Sequence, residues 1–204
     1  MIFMTLSKDR QSGRPRGFDR EKALDTAMRL FWRYGYEGVS FQQLTATLGV
    51  AAPSLYAAFG NKAALYREAL DRYEELRGTT DLSFMDKTVS LRDAIYLLLD
   101  GTARGLLDPE GEIGCMLNTG MITSHPDNTD LAKELVQRRY EFRCLLRDKL
   151  LNRVSIQEAE RLSLFITVVM QGLAIQAHDG YTLTELQEAV GVALEAIPAD
   201  PTII

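Results

Sequence analysis

The chain predicts an all-α protein in two parts, and three observations carry that prediction. From position 18 onward apolar residues recur at i, i+3, i+4 and i+7, and no segment alternates with period two over a strand's length. Short Gly, Pro, Asn and Asp clusters cut this pattern into pieces of ordinary helix length. Charge is unevenly shared: residues 1–77 hold 12 Lys+Arg against 9 Asp+Glu, and residues 78–204 hold 11 against 19. A basic end (net +3) joined to an acidic body (net −8) predicts one surface for a polyanion and another that stays clear of it.

The elements follow in order. Residues 1–17 lack apolar periodicity and end in Gly13-Arg14-Pro15-Arg16-Gly17, which reads as a flexible basic arm. A first helix starts at Asp19 as N-cap, buries Leu24, Ala27, Met28 and Phe31, and stops at Gly35. A second opens at Ser40, with Gln43 in capping-box position, buries Leu44 and Leu48, and ends at Gly49. A third, short helix spans 52–59 and tolerates Pro53 in its first turn. Asn61 caps a fourth, whose inner stripe is Leu65, Ala69, Tyr73 and Leu76. We divide the chain accordingly into an arm (1–17), a head (18–62) and a body (63–204).

In the body, Ser90 with Asp93 starts a helix through Ile95, Leu98 and Leu99, and residues 114–126 are irregular. A helix over 127–151 follows, and Ser155 with Glu158 opens another to about position 177. Thr182 with Glu185 opens the last helix, striped by Leu183, Leu186, Val190, Leu194 and Ile197 and closed by Pro198.

Function is concentrated in residues 40–59, SFQQLTATLGVAAPSLYAAF. Two short helices meet at Leu48-Gly49-Val50, and Leu44, Val50 and Leu55 are spaced to lock them onto the first helix. This is a helix-turn-helix pattern, whose second helix fits a major groove about 12 Å wide. Ala52, Pro53, Ser54 and Ala57 are small, so the backbone can lie close to base edges.

The match extends beyond the hairpin. Residues 13–70 resemble the DNA-binding domain of the TetR/AcrR family of regulators. The residues carrying the likeness are FDREKALDTAMRLFWRYGYEGVSFQQLTATLGV, then Pro53-Ser54-Leu55-Tyr56, then Phe59-Gly60-Asn61-Lys62. Ala51 departs from the small hydroxyl residue common at that position, a lost cap costing about 1 kcal/mol. The resemblance implies that Tyr56 lies on the DNA backbone and that Lys62 brings a mobile positive charge to a phosphate. It places Ser40, Gln42 and Gln43 within reach of phosphate or a base, and Ala52, Pro53 and Ser54 on the groove floor. Arg14 and Arg16 read as a minor-groove hook.

In the body, the segment 162–177 is apolar almost all round and requires burial on two sides, one in its own core and one against a second copy. With the final helix it gives the four-helix homodimer interface that the resemblance implies, through Leu162, Ile166, Val169, Met170, Leu173, Leu186, Val190 and Leu194. A small-molecule effector site is expected among Leu98, Thr102, Cys115, Met116, Asn118, Met121, Tyr140 and Phe165, which mix apolar surface, Met and a few polar groups. The leading expectation is a repressor released from a palindromic operator by that small molecule. The alternative is thiol-based redox sensing through Cys115 and Cys144.

Other classes find little support. There is no Ser/His/Asp order, phosphate-cradling glycine loop or metal-ligand spacing, so no enzyme, cofactor or metal site is expected, with His125 and His178 isolated. No apolar run approaches the roughly 20 residues of a membrane span. Lys8, Asp9, Arg10, Arg14 and Arg16 stand where a signal peptide would be apolar, which makes the expected location cytoplasmic.

Overall fold

The computed structural model describes residues 19–77 and 81–198, whose regular structure is helical, with no strand among them. The expected arm, with Arg14 and Arg16, lies outside the described residues. The helices are α1 (Arg20–Gly38), α2 (Phe41–Leu48), α3 (Ala52–Phe59), α4 (Lys62–Arg77), α5 (Leu91–Leu106), α6 (Thr129–Leu150), α7 (Ile156–His178) and α8 (Leu183–Glu195). Short 3-10 turns precede α5 (Ser83–Lys87) and α6 (Pro126–Asn128).

Local chemistry sets the boundaries. Asp19, Ser40, Asn61, Ser90, Ser155 and Thr182 each accept the backbone N–H three residues on, satisfying a donor that the first helical turn leaves open. Only Thr182 has the full reciprocal box, with Glu185 returning to its N–H at 2.8 Å. At α7 the Glu158 carboxylate is instead held by Arg161. Gly35, at φ +69°, breaks the helical path inside α1, and the three residues beyond it complete a separate turn.

The head is built on α1 against α4. Phe31 and Tyr36 meet Tyr66 edge-on at 5.0 and 5.1 Å, and Trp32 meets Tyr73 at 4.9 Å. Arg20–Glu68 and Arg72–Asp25 ion pairs flank the seam. Thus α4, which begins at the head–body division expected at 62/63, packs as part of the head. Its buried side is Leu65, Tyr66, Ala69, Leu70 and Tyr73, whereas Leu76 is 56% exposed. The expected stripe drifts off the core at its last turn.

In the body α5 packs on α7 and α8, and α6 packs on α7. Buried Asp100 of α5 accepts from Arg104 and from Gln187 of α8. Arg153 donates to the carbonyls of Met85 and Thr88, fastening the α6–α7 turn to the start of the body. Because α7 meets three helices of its own chain, more of its circumference is covered than the sequence reading allowed. Leu162, Ile166, Leu173, Leu186 and Val190, expected at the dimer interface, are 3% exposed or less within the single chain and have no surface left for a second copy. Val169, Met170 and Leu194 are half-buried. Beyond its first residue, Ile156, the large apolar surface of α7 is Leu164, Val168 and Ile175 around Gly172, with Val192 on α8.

Candidate nucleic-acid interface and effector cavity

The head projects α2 and α3 as a hinge-like pair. Gly49 adopts the left-handed backbone (φ +65°, ψ +30°), and its N–H bonds back to Ala46. A side chain there would be strained, so glycine is needed for the turn. Leu44 and Leu55 are fully buried, each stabilising the pair by about 1.5–3 kcal/mol. The opposite side of α3 is free: Ala52, Pro53, Ser54, Tyr56 and Ala57 are exposed, and the helix carries no formal charge. Ala51 gives it no side-chain cap.

Tyr56 is half exposed and lies flat on Phe41, ring centroids 4.1 Å apart at 20°. Phe41 at the start of α2 therefore fixes where the phenol points, a role missed in the sequence because an aromatic beside an N-cap reads as core. Ser40, Gln42 and Gln43 are exposed at the α2 start, with the Ser40 hydroxyl engaged as cap. Lys62 stands at the start of α4 with its ammonium 4.0 Å from the Tyr36 ring centre. Burial there lowers its pKa, while Glu37 partly offsets the shift. It is a docked charge rather than the freely mobile one expected. The Ser40, Gln42 and Gln43 group, the α3 surface and Lys62 occupy the successive α2, α3 and α4 starts.

A cavity of about 210 Å³ opens inside the body between α4, α5 and the irregular segment before α6. Leu98, Thr102, Cys115 and Asn118 line it, as do Tyr73, Arg77, Phe142 and Met170. Met170, assigned from the sequence to the dimer interface, faces this space instead. Of the other expected residues, Met116 is buried elsewhere, Met121 lines an outer groove, Tyr140 is 54% exposed, and Phe165 is half-buried away from the cavity. Side-chain chemistry alone does not fix direction, and α6 turns Tyr140 outward. The Cys115 sulfur accepts the Asn118 N–H at 3.4 Å; burial, followed by the neighbouring Cys115 thiol, raises the Tyr73 pKa. Cys144 lies instead by Tyr140.

The cavity wall is also the joint with the head. Gly114 precedes Cys115 at φ +91°, and a Cβ there would sit 2.1 Å from His178 Nε2 at the end of α7. The Gly114 carbonyl accepts the buried Trp32 indole N–H of α1 at 3.0 Å. Further links run from Glu37, which accepts the His125 N–H and the Asn128 amide at 2.9 and 2.8 Å, and from Arg67 to Glu134 at 2.6 Å.

Two short helices around a left-handed glycine, standing on α1 and α4, form a helix-turn-helix head on a helical body. The family model for bacterial regulatory proteins of the tetR family matches residues 23–69. The chain is 32% identical over 193 residues to the HTH-type transcriptional repressor ComR of Escherichia coli (strain K12), covering 91% of this chain and 92% of that one. The chain belongs to the tetR family. It is also 33% identical over 197 residues to the repressor BdcR of the same organism, covering 96% of this chain and 97% of the other. The solved TetR-family regulator CifR, as a cysteine mutant complexed with 26bp double-strand operator DNA, is similar at TM-score 0.81 and 35% identity over 91% of this chain and all of that one. As a tetR-family protein the chain is a DNA-binding transcription regulator and not an enzyme. Among the described residues no helix is long and apolar enough to cross a membrane, and no group of three or more His, Cys, Asp or Glu is arranged to hold a metal ion.

Proposed function

We propose that the protein is a homodimeric repressor, released from a palindromic operator by a small molecule entering the body cavity. The observation carrying this reading is the double duty of one short segment. Cys115 and Asn118 face the cavity while Gly114, next in chain, accepts the Trp32 N–H of the head. An occupant that displaces this segment perturbs the head's anchorage without touching it. Such an effector acts only through its preference for one arrangement: moving a 1:99 balance to 99:1 takes about 10⁴-fold tighter binding to the favoured state. Repressor names on full-length relatives and an operator complex of CifR support the DNA side of the reading.

In this reading Tyr56 and Lys62 hold the DNA backbone, Ser40, Gln42 and Gln43 contact phosphate or a base, and Ala52, Pro53 and Ser54 approach the groove floor. A second copy covers the stripe of Leu164, Val168, Gly172, Ile175 and Val192, pairing two heads for two half-sites. Thiol sensing has weaker support: Cys115 is buried beside Tyr73 and Cys144 lies by Tyr140, so the two thiols have different neighbours. Gel-shift titration with DNA flanking its own gene tests the proposal. A salt-sensitive, sequence-selective complex is expected; binding equally weak on random DNA would end it.

A further inference from the structure

Six basic side chains point off α6: Lys133, Arg138, Arg139, Arg143, Arg147 and Lys149. Five of them face a carboxylate within ion-pair distance. Arg139 does not. Its Nη1 donates to the carbonyls of Leu117 and Gly120 at 2.8 and 3.0 Å, and among the described residues no acid meets its other two nitrogens. It is half-buried, that burial lowers its pKa, and no carboxylate stands beside it as counter-ion among the described residues.

This cation lines a chamber of about 60 Å³ together with Arg138, whose charge is taken up by Asp71 and Glu74, and with Asn118 and Gln171, whose side-chain amides have no partner among the described residues. The chamber shares Cys115, Asn118, Phe142 and Met170 with the larger cavity, whose remaining wall is mostly apolar. Asp81, the carboxylate of the larger cavity, is absent from the small chamber and accepts the Ser83 N–H at 2.9 Å. Arg139, Asn118 and Gln171 therefore bring uncommitted donors to a small chamber that adjoins a mostly apolar cavity. Both volumes lie below the roughly 300–1,000 Å³ of drug-sized sites, so the occupant is small.

We propose that the effector is a small organic carboxylate, its acid group on Arg139, Asn118 and Gln171 and its apolar tail between Phe142, Met170 and Leu98. The inference rests on the cavity being the effector site, and it adds a ligand class. Arg139 also holds the Leu117–Gly120 turn, so a carboxylate on its free edge pulls on the segment that carries Gly114.

The test is calorimetric titration of the full chain with hexanoate, phenylacetate and the corresponding amides, with acetate as the tail-less control. The acids should bind in preference to the amides and to acetate. Arg139→Met should weaken hexanoate binding roughly 10- to 100-fold, as expected for losing charge-assisted hydrogen bonds. Gln171→Leu, which removes no internal bond, should weaken it severalfold. Equal affinity for acid and amide, no binding of either, or hexanoate binding unchanged in both variants overturns the proposal. Operator affinity is measured in parallel. Hexanoate bound through Arg139 without operator release supports the site and refutes the effector reading. Release by the amides with hexanoate inert refutes the site and leaves that reading standing.

Discussion

Replacing Trp32 with Phe tests whether the head and body are joined where the structure joins them. Phenylalanine can keep an edge contact with Tyr73 but has no N–H for the Gly114 carbonyl. Gly114 is buried, so its oxygen loses a partner that water does not readily replace. An unsatisfied buried acceptor costs about 1–3 kcal/mol, and the missing pyrrole adds roughly 1 kcal/mol of lost apolar burial. For a chain of this size each kcal/mol lowers Tm by roughly 2–4 °C, so Trp32→Phe should melt about 4–16 °C below the parent. Thermal unfolding by far-UV circular dichroism measures this without depending on the removed fluorophore. Arg33→Ala is the matched control, since its pair with Glu112 is 3.9 Å long and its side chain 63% exposed. That variant should stay within about 0.5 kcal/mol of the parent. If the two variants melt together, the indole–carbonyl bond does not hold the joint.

Four further outcomes follow from the geometry. Tyr56→Ala should weaken binding to specific and random DNA alike, whereas Ser54→Ala should change sequence preference; gel shifts on a panel of operator variants separate the two. Leu55→Ala should cost about 2–5 kcal/mol in urea unfolding, because the leucine is fully buried beneath α3. Val168→Asp, on a residue 57% exposed, should leave folding intact and shift sedimentation from dimer to monomer. Glu37 has its pKa lowered first by the His125 N–H and then by Asn128. Its contribution is thus present above the ordinary glutamate value of 4.5 and fades as pH falls through the folded value; Glu37→Gln should flatten that part of the acid-unfolding curve.

Caps and stops were legible because they are local: a hydroxyl or carboxylate reaches an N–H three residues on, and Gly49 turns a chain within one residue. The small exposed side of α3 was legible for the same reason, since Leu44 and Leu55 leave only one side to project. What sequence could not settle was which side of a helix a third neighbour takes. Over residues 162–177 helix α7 is apolar almost all round, so its pattern held no mark separating Leu162, which its own chain buries, from Leu164, which it leaves bare. Arg138 and Arg139 are adjacent in sequence but about 100° apart around α6. Both reach the small chamber, but one is neutralised by Asp71 and Glu74 while the other has only the Leu117 and Gly120 carbonyls.

The absence of formal charge along α3 has a consequence for how this regulator responds to its ionic surroundings. Salt weakens protein–DNA complexes by competing with the cations that neutralise phosphates, and an uncharged helix displaces none. Its share of affinity comes from surface fit and from excluding water, which ionic strength barely alters. In the proposed complex the salt slope therefore counts the flanking cations, Lys62 among them, while the intercept reports how well the small side chains of α3 match the groove.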